Sequence, residues 1–152
     1  MRISEIIARS YFAMASGESK PSGRKVILLV DDEPDVLFAV RLALEKGGFA
    51  VHAYENPEKA LNDYKPGTYD LLIIDIKMPF MNGLEFGARV RQADPRAKIC
   101  FLTAINDLTA YSDYYRKCSE IPGETMAFTQ KPIENDVLLD IARELASRSH
   151  SN

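Results

Sequence analysis

Three short apolar runs set the frame of the chain. Residues 26–30 (VILLV), the end of YDLLIID at Asp75 and the end of AKICFLT at Thr103 show no alternation of polar and apolar positions. Runs of this length, rich in β-branched residues and leucine, read as strands covered on both faces. Between them the period changes. Val36, Leu37, Val40, Ala43 and Leu44 repeat at helical spacing after Pro34, until Gly47 and Gly48 end the run; proline suits a first helical turn, where its missing N–H goes unused. FAVHAY (49–54) predicts a second strand, and Asn56-Pro57 a cap and first turn for a helix carrying Ala60, Leu61 and Tyr64. Asn82-Gly83 opens a third helical pattern through Leu84, Gly87 and Val90, stopped at Asp94-Pro95. A tyrosine-rich helix over 107–119 then leads to ETMAFTQ as a fifth strand, and 133–145 closes as a helix with apolar positions 133, 137, 138, 141 and 145.

Strict alternation of strand and helix predicts an α/β fold: a doubly wound, five-stranded parallel sheet of flavodoxin-like (βα)5 type, because right-handed crossovers lay each helix on a sheet face. In the order 2-1-3-4-5 the ligand crevice lies outside the carboxyl ends of the strands, where the order reverses. The α/β domain spans 25–147 and a short tail 148–152. Residues 1–24 form an arm in which Ile3, Ile6, Ile7 and Met14 share a helical face before the linker-like ASGESKPSGRK.

Composition narrows the function. With 152 residues, 46% apolar and 27% charged, the chain suits one domain that buries roughly 70% of its unfolded surface. A net charge of −3 leaves no basic footprint for nucleic acid or anionic lipid. Cys100 and Cys118 lack the spacing of a zinc or redox pair and suit a reducing cytoplasm, and His52 and His150 stand alone. No run approaches the ~20 apolar residues of a membrane span, and Glu5 and Arg9 break any signal-peptide core.

The strand ends carry the chemistry. Asp31 and Asp32 follow the first strand, Asp75 ends the third, Thr103 the fourth, and Lys131 follows the fifth. Taken singly, each has a local explanation: Asp31 and Asp32 as caps for the helix at Pro34, Asp75 as a turn residue, Lys131 as a solvated lysine. Taken together, three carboxylates converge between neighbouring strands one and three. Like charges that close raise one another's pKa, and a divalent cation resolves the conflict. An open, all-oxygen set suits magnesium, with manganese as a substitute. Asp75 is then placed to act as a carboxylate nucleophile toward a phosphoryl group, with Lys131 and Thr103 serving the transferring oxygens.

The set LLVDDEP, LLIIDIKMP, FLTA and FTQKP resembles the receiver domain of two-component response regulators, over about Val26 to Leu145. The resemblance implies Asp75 as phospho-acceptor and Asp31, Asp32, Asp75 and the backbone carbonyl of Lys77 as metal ligands. It also implies Thr103 as the hydroxyl that moves toward the phosphoryl group, Lys131 as counter-ion, Phe128 as switch aromatic and a cis peptide before Pro132. The expected function is a stand-alone cytoplasmic receiver that catalyses its own phosphorylation and dephosphorylation without turning over an external substrate. Its donor would be a histidine kinase or phosphotransfer protein, and its output altered binding to a downstream protein. Ile105 and Lys77, flanking the reactive groups, imply slow self-dephosphorylation.

The interval from Thr103 to Lys131 exceeds the family's usual length by over a helical turn. It includes a face of Leu108, Tyr111, Tyr115 and Cys118, with Tyr114 pointing elsewhere, and suggests a partner or homodimer surface. Two other readings compete: a phosphate-independent scaffold, and an aspartyl-nucleophile phosphohydrolase. The phosphohydrolase needs a second acid where Lys77 stands. A nucleotide-binding module would need glycines where Asp-Asp-Glu-Pro stands, and no room remains for a helix-turn-helix.

Overall fold

The apolar runs pair side by side. In the computed structural model, which describes residues 23–103, 126–131 and 133–148, the strands are β1 (Val26–Val30), β2 (Ala50–Tyr54), β3 (Leu71–Asp75), β4 (Ile99–Thr103) and β5 (Met126–Gln130). The helices are α1 (Pro34–Lys46), α2 (Pro57–Asp63), α3 (Gly83–Ala93) and α4 (Asn135–Ser147). Every pairing is parallel. Strands β2, β1, β3 and β4 lie in that order, and β5 joins the outer edge of β4 with Thr103 opposite Gln130.

β1, β3 and β4 are buried at every position, which is why their sequences lack alternation. Ile27, Leu29, Ile73 and Leu102 face one layer, packed with Leu44 of α1 and Leu138, Ala142 and Leu145 of α4. Leu28, Val30, Leu72, Ile74 and Phe101 face the other, with Ala60 of α2 and Phe86 and Val90 of α3. The two layers leave the carboxyl ends of the strands open at one rim of the sheet, the expected place for a ligand.

Local chemistry sets the helix starts. Asn56 Oδ1 accepts from the Glu58 and Lys59 amides at 2.9 and 3.3 Å, and Asn82 Oδ1 from the Glu85 amide at 2.8 Å. Pro34 occupies the first turn of α1 after Glu33. The strand starts depart from expectation in three places. β2 starts at Ala50, β3 at Leu71 and β4 at Ile99, one, two and two residues late. Before β3, the Asp70 carboxylate turns back to accept from the Val26 amide at 2.8 Å.

The apolar stripe expected over 133–145 is corrected at Val137 alone, since Leu138 and Leu145 are buried and Ile133 and Ile141 pack partly buried against the same layer. α4 begins at Asn135 and buries Leu138, Ala142, Leu145 and Ala146, so Val137 is rotated out to 48% exposure. The small alanines let that face sit closely on the sheet, a role that counting large apolar residues overlooks. The arm through residue 22, the helix expected over 107–119 with Tyr111, Tyr114, Tyr115 and Cys118, and Ile105 and Pro132 lie outside the described residues, as does the tail beyond Arg148. Among the described residues no helix is long and apolar enough to cross a membrane.

Candidate functional site

Asp31 leaves β1 still in the sheet, its amide donating to the Tyr54 carbonyl at 3.1 Å. One carboxylate oxygen then accepts from the Glu33 amide at 3.0 Å, the local turn bond a strand-end aspartate favours. The other oxygen receives the Lys131 ammonium at 3.2 Å. Glu33, not Asp31 or Asp32, is the N-cap of α1, and no side chain caps that helix; the Asp31 bond to the Glu33 amide is a local turn bond, and its other oxygen faces Lys131. Asp75 ends β3, opposite Leu102 of β4, and its Oδ1 lies 3.1 Å from the same Lys131 Nζ.

Asp32 completes the group. Asp31, Asp32 and Asp75 each offer a carboxylate oxygen, all within 4.8 Å of one another. Asp31 and Asp75 are buried, at 1% and 5% exposure, which leaves little water to screen their repulsion. Asp32 Oδ1 is itself buried and has no hydrogen-bond partner among the described residues. A buried carboxylate oxygen without a partner is costly; beside two more carboxylates it marks a place that a cation would fill. The donor set is all oxygen, as a hard divalent cation requires.

Electrostatics follow the geometry. Burial pushes the Asp75 carboxyl up to about 6, with Asp31 and Asp32 adding to the rise and Lys131 opposing it. Burial alone would lower Lys131, but Asp75 and Asp31 outweigh it and hold the ammonium above its ordinary value. One ammonium cannot offset three carboxylates, so the pocket retains an excess of negative charge.

The backbone aims these groups. The Lys131 amide donates to the Thr103 carbonyl at 2.8 Å, extending the pairing of β5 with β4 and fixing where the lysine side chain starts. Thr103 is buried at the end of β4, beside the strand that carries Asp75. Lys77 lies in the loop after β3 with its side chain exposed. Phe128 pairs in register with Phe101, and its side chain lies outside those described.

Gly83 was not foreseen as part of this site. A β-carbon there would lie 2.3 Å from the Asp75 carbonyl oxygen and 2.9 Å from the Ile76 α-carbon, so only glycine lets α3 start against the strand that carries Asp75. Its amide donates to the Ile76 carbonyl at 2.8 Å. The Asn82-Gly83 pair signalled a helix start; its second role depends on a tertiary approach that no local pattern encodes.

The family model described as response regulator receiver domain matches residues 27–143. Among curated relatives, response regulator receiver protein CpdR of Brucella abortus is 38% identical over 79 residues, covering 52% of this chain and 66% of that protein. Transcriptional regulatory protein DltR of Streptococcus agalactiae is 32% identical over 113 residues, covering 74% of this chain and 48% of that protein. The chain spans only 20–66% of the length of such relatives. Among solved structures, response regulator protein TrrA from Thermotoga maritima, in complex with Mg(2+)-BeF, superposes with a TM-score of 0.61 at 33% identity, covering 80% of this chain and 98% of that one. The non-phosphorylated HemR receiver domain from Leptospira biflexa has a TM-score of 0.72 at 22% identity, covering 85% and 99%, a likeness of fold.

Proposed function

The chain belongs to the response regulator receiver family, and on that footing we propose that Asp75 accepts a phosphoryl group from a histidine kinase or phosphotransfer protein. Receiver domains are phosphorylated by histidine kinases and are not turnover enzymes. The observation that carries the proposal is the Lys131 ammonium held 3.2 Å from Asp31 and 3.1 Å from Asp75, within a cluster of three carboxylates.

Asp31, Asp32 and Asp75, with the Lys77 carbonyl, would hold magnesium or manganese, and the ion would neutralise charge on the phosphoryl oxygens. The protein's own groups do the rest. An Asp75 carboxylate oxygen attacks phosphorus in line as the bond to the donor's histidine nitrogen breaks, and the departing imidazole keeps the bonding electron pair. The Lys131 ammonium stays beside the acceptor and meets the charge that arrives. The product adds about −1.5 to −2 of charge at neutral pH. Thr103, one strand over, is the hydroxyl that answers it, and Phe128 the aromatic that follows. Output is a change in affinity for a downstream protein, limited to the difference in its binding to the two states. We place this work in the cytoplasm.

Incubation of the chain with phosphoramidate and magnesium, followed by intact mass, tests the proposal. Wild type should gain one phosphoryl group and Asp75→Asn none. No gain in wild type would leave only the phosphate-independent scaffold; equal gain in both would move the acceptor elsewhere.

A further inference from the structure

The loop from β3 to α3 holds an aromatic ring that the acceptor chemistry does not use. Phe80 is 99% exposed, and its backbone sits at a φ of 70°, a region that side chains larger than glycine or asparagine seldom enter. The Met81 amide donates to the Pro79 carbonyl at 2.8 Å, so Phe80 is the centre of a three-residue turn with positive φ, a rare and strained form. Strain of this kind gathers where surrounding structure fixes a residue for use.

The surroundings here do fix it. Met78 and Met81, on either side, are buried in the layer under α3. Beyond them the loop is drawn shut by the Gly83 amide on the Ile76 carbonyl at 2.8 Å, with Gly83 against the Asp75 backbone. The loop's two methionines already fill the layer below it, and the Phe80 ring is the one left outside. The ring is held in water on a closed loop whose two ends both touch the acceptor strand.

Resting on the receiver reading above, we propose that Phe80 is the anchor by which the protein seats on the phosphohistidine-bearing domain of its donor, the ring entering an apolar recess beside that histidine. The occupant follows from position. A macromolecule that brings phosphorus in line with Asp75 must cover the rim where β3 ends, and the loop carrying Phe80 forms part of that rim. A pre-ordered, wholly exposed aromatic is the kind of side chain that carries a disproportionate share of binding when covered. A small phosphodonor reaches Asp75 without covering the rim, so the two kinds of donor separate anchoring from chemistry.

The test uses the full chain, phosphoramidate as small donor, and the purified phosphorylated histidine kinase domain that labels wild type fastest within a panel. Phe80→Ala should take label from phosphoramidate at the wild-type rate but lose roughly tenfold or more in kcat/KM from the kinase domain, through KM. Phe80→Asn, which relieves the positive φ, should lose as much as alanine, and Phe80→Tyr should retain transfer. Unchanged transfer from the kinase domain to Phe80→Ala overturns the proposal. So does an equal loss from both donors, which would make Phe80 a support of the acceptor pocket. Wild type that accepts from phosphoramidate but from no kinase domain overturns the anchor while leaving Asp75 as acceptor; wild type that accepts from neither overturns the receiver reading itself.

Discussion

Burial first, with Lys131 opposing it and Asp31 and Asp32 adding to the rise, sets the pH behaviour of Asp75. In the fold its carboxyl is pushed up to about 6 from an ordinary 3.8. The folded state therefore holds a proton that the unfolded state releases between those values, so stability from this group is greatest in acid and is lost as pH rises through 6. In metal-free buffer at about pH 7.5, Asp75→Asn should raise stability by about 1–3 kcal/mol, and the gain should shrink toward about pH 4.5. Urea unfolding of both proteins across that range measures it; a variant less stable than wild type at the upper pH contradicts the charge argument. His52 works the other way. Burial, then Arg41, lowers its pKa below 6.5, so stability is lost as pH falls and the unfolded chain takes up the proton first. The contribution of His52 is common to both proteins, which makes their difference the quantity to follow.

Among elements, α3 and α4 are each held to the sheet by one residue whose role local pattern does not reveal. The start of α3 depends on Gly83, where a β-carbon would meet backbone at 2.3 Å, whereas a β-carbon at Gly47 would meet the side-chain tip of Leu139 at 2.2 Å. Backbone cannot step aside as a leucine tip can. Gly83→Ala should thus cost about 2–4 kcal/mol and slow labelling by phosphoramidate, while Gly47→Ala stays within about 1 kcal/mol of wild type. Equal effects in thermal unfolding would refute the distinction. At α4, buried Lys98 donates to the Ala146 carbonyl at 3.3 Å and to the Arg148 carbonyl, placing a positive charge at the helix's negative end. Lys98→Met should cost about 1–3 kcal/mol by leaving those carbonyls without their donor. Hydrogen exchange would register it as earlier opening of the last turn of α4, and exchange unchanged there would argue against the cap.

Across the whole molecule, what could be read in advance was whatever a local pattern encodes. β1, β3 and β4 were legible because burial on both faces removes polar alternation, and the acids stood out because they interrupt apolar runs. Asn56 was legible as a cap, and Asn82-Gly83 as a helix start, for the same local reason. The double pairing of Lys131 and the tight approach of Gly83 were not, since each needs segments far apart in sequence to meet. One further consequence belongs to that long-range assembly. The ammonium at 3.1–3.2 Å from Asp75 and Asp31 occupies carboxylate oxygens that a divalent cation would also draw on. Magnesium at about one hundred times its dissociation constant should stabilise wild type by about 2.7 kcal/mol, a rise of roughly 5–10 °C in Tm for a domain of this size. Asp32→Asn should lose most of that gain, because its buried oxygen has no hydrogen-bond partner among the described residues. Lys131→Met should do the reverse: its metal-free fold weakens, with three carboxylates left unpaired, while its magnesium affinity rises severalfold as the competing charge is gone. Calorimetric titration of wild type and both variants decides between competition and support; weaker magnesium binding in Lys131→Met would mean that the lysine organises the carboxylates for the ion.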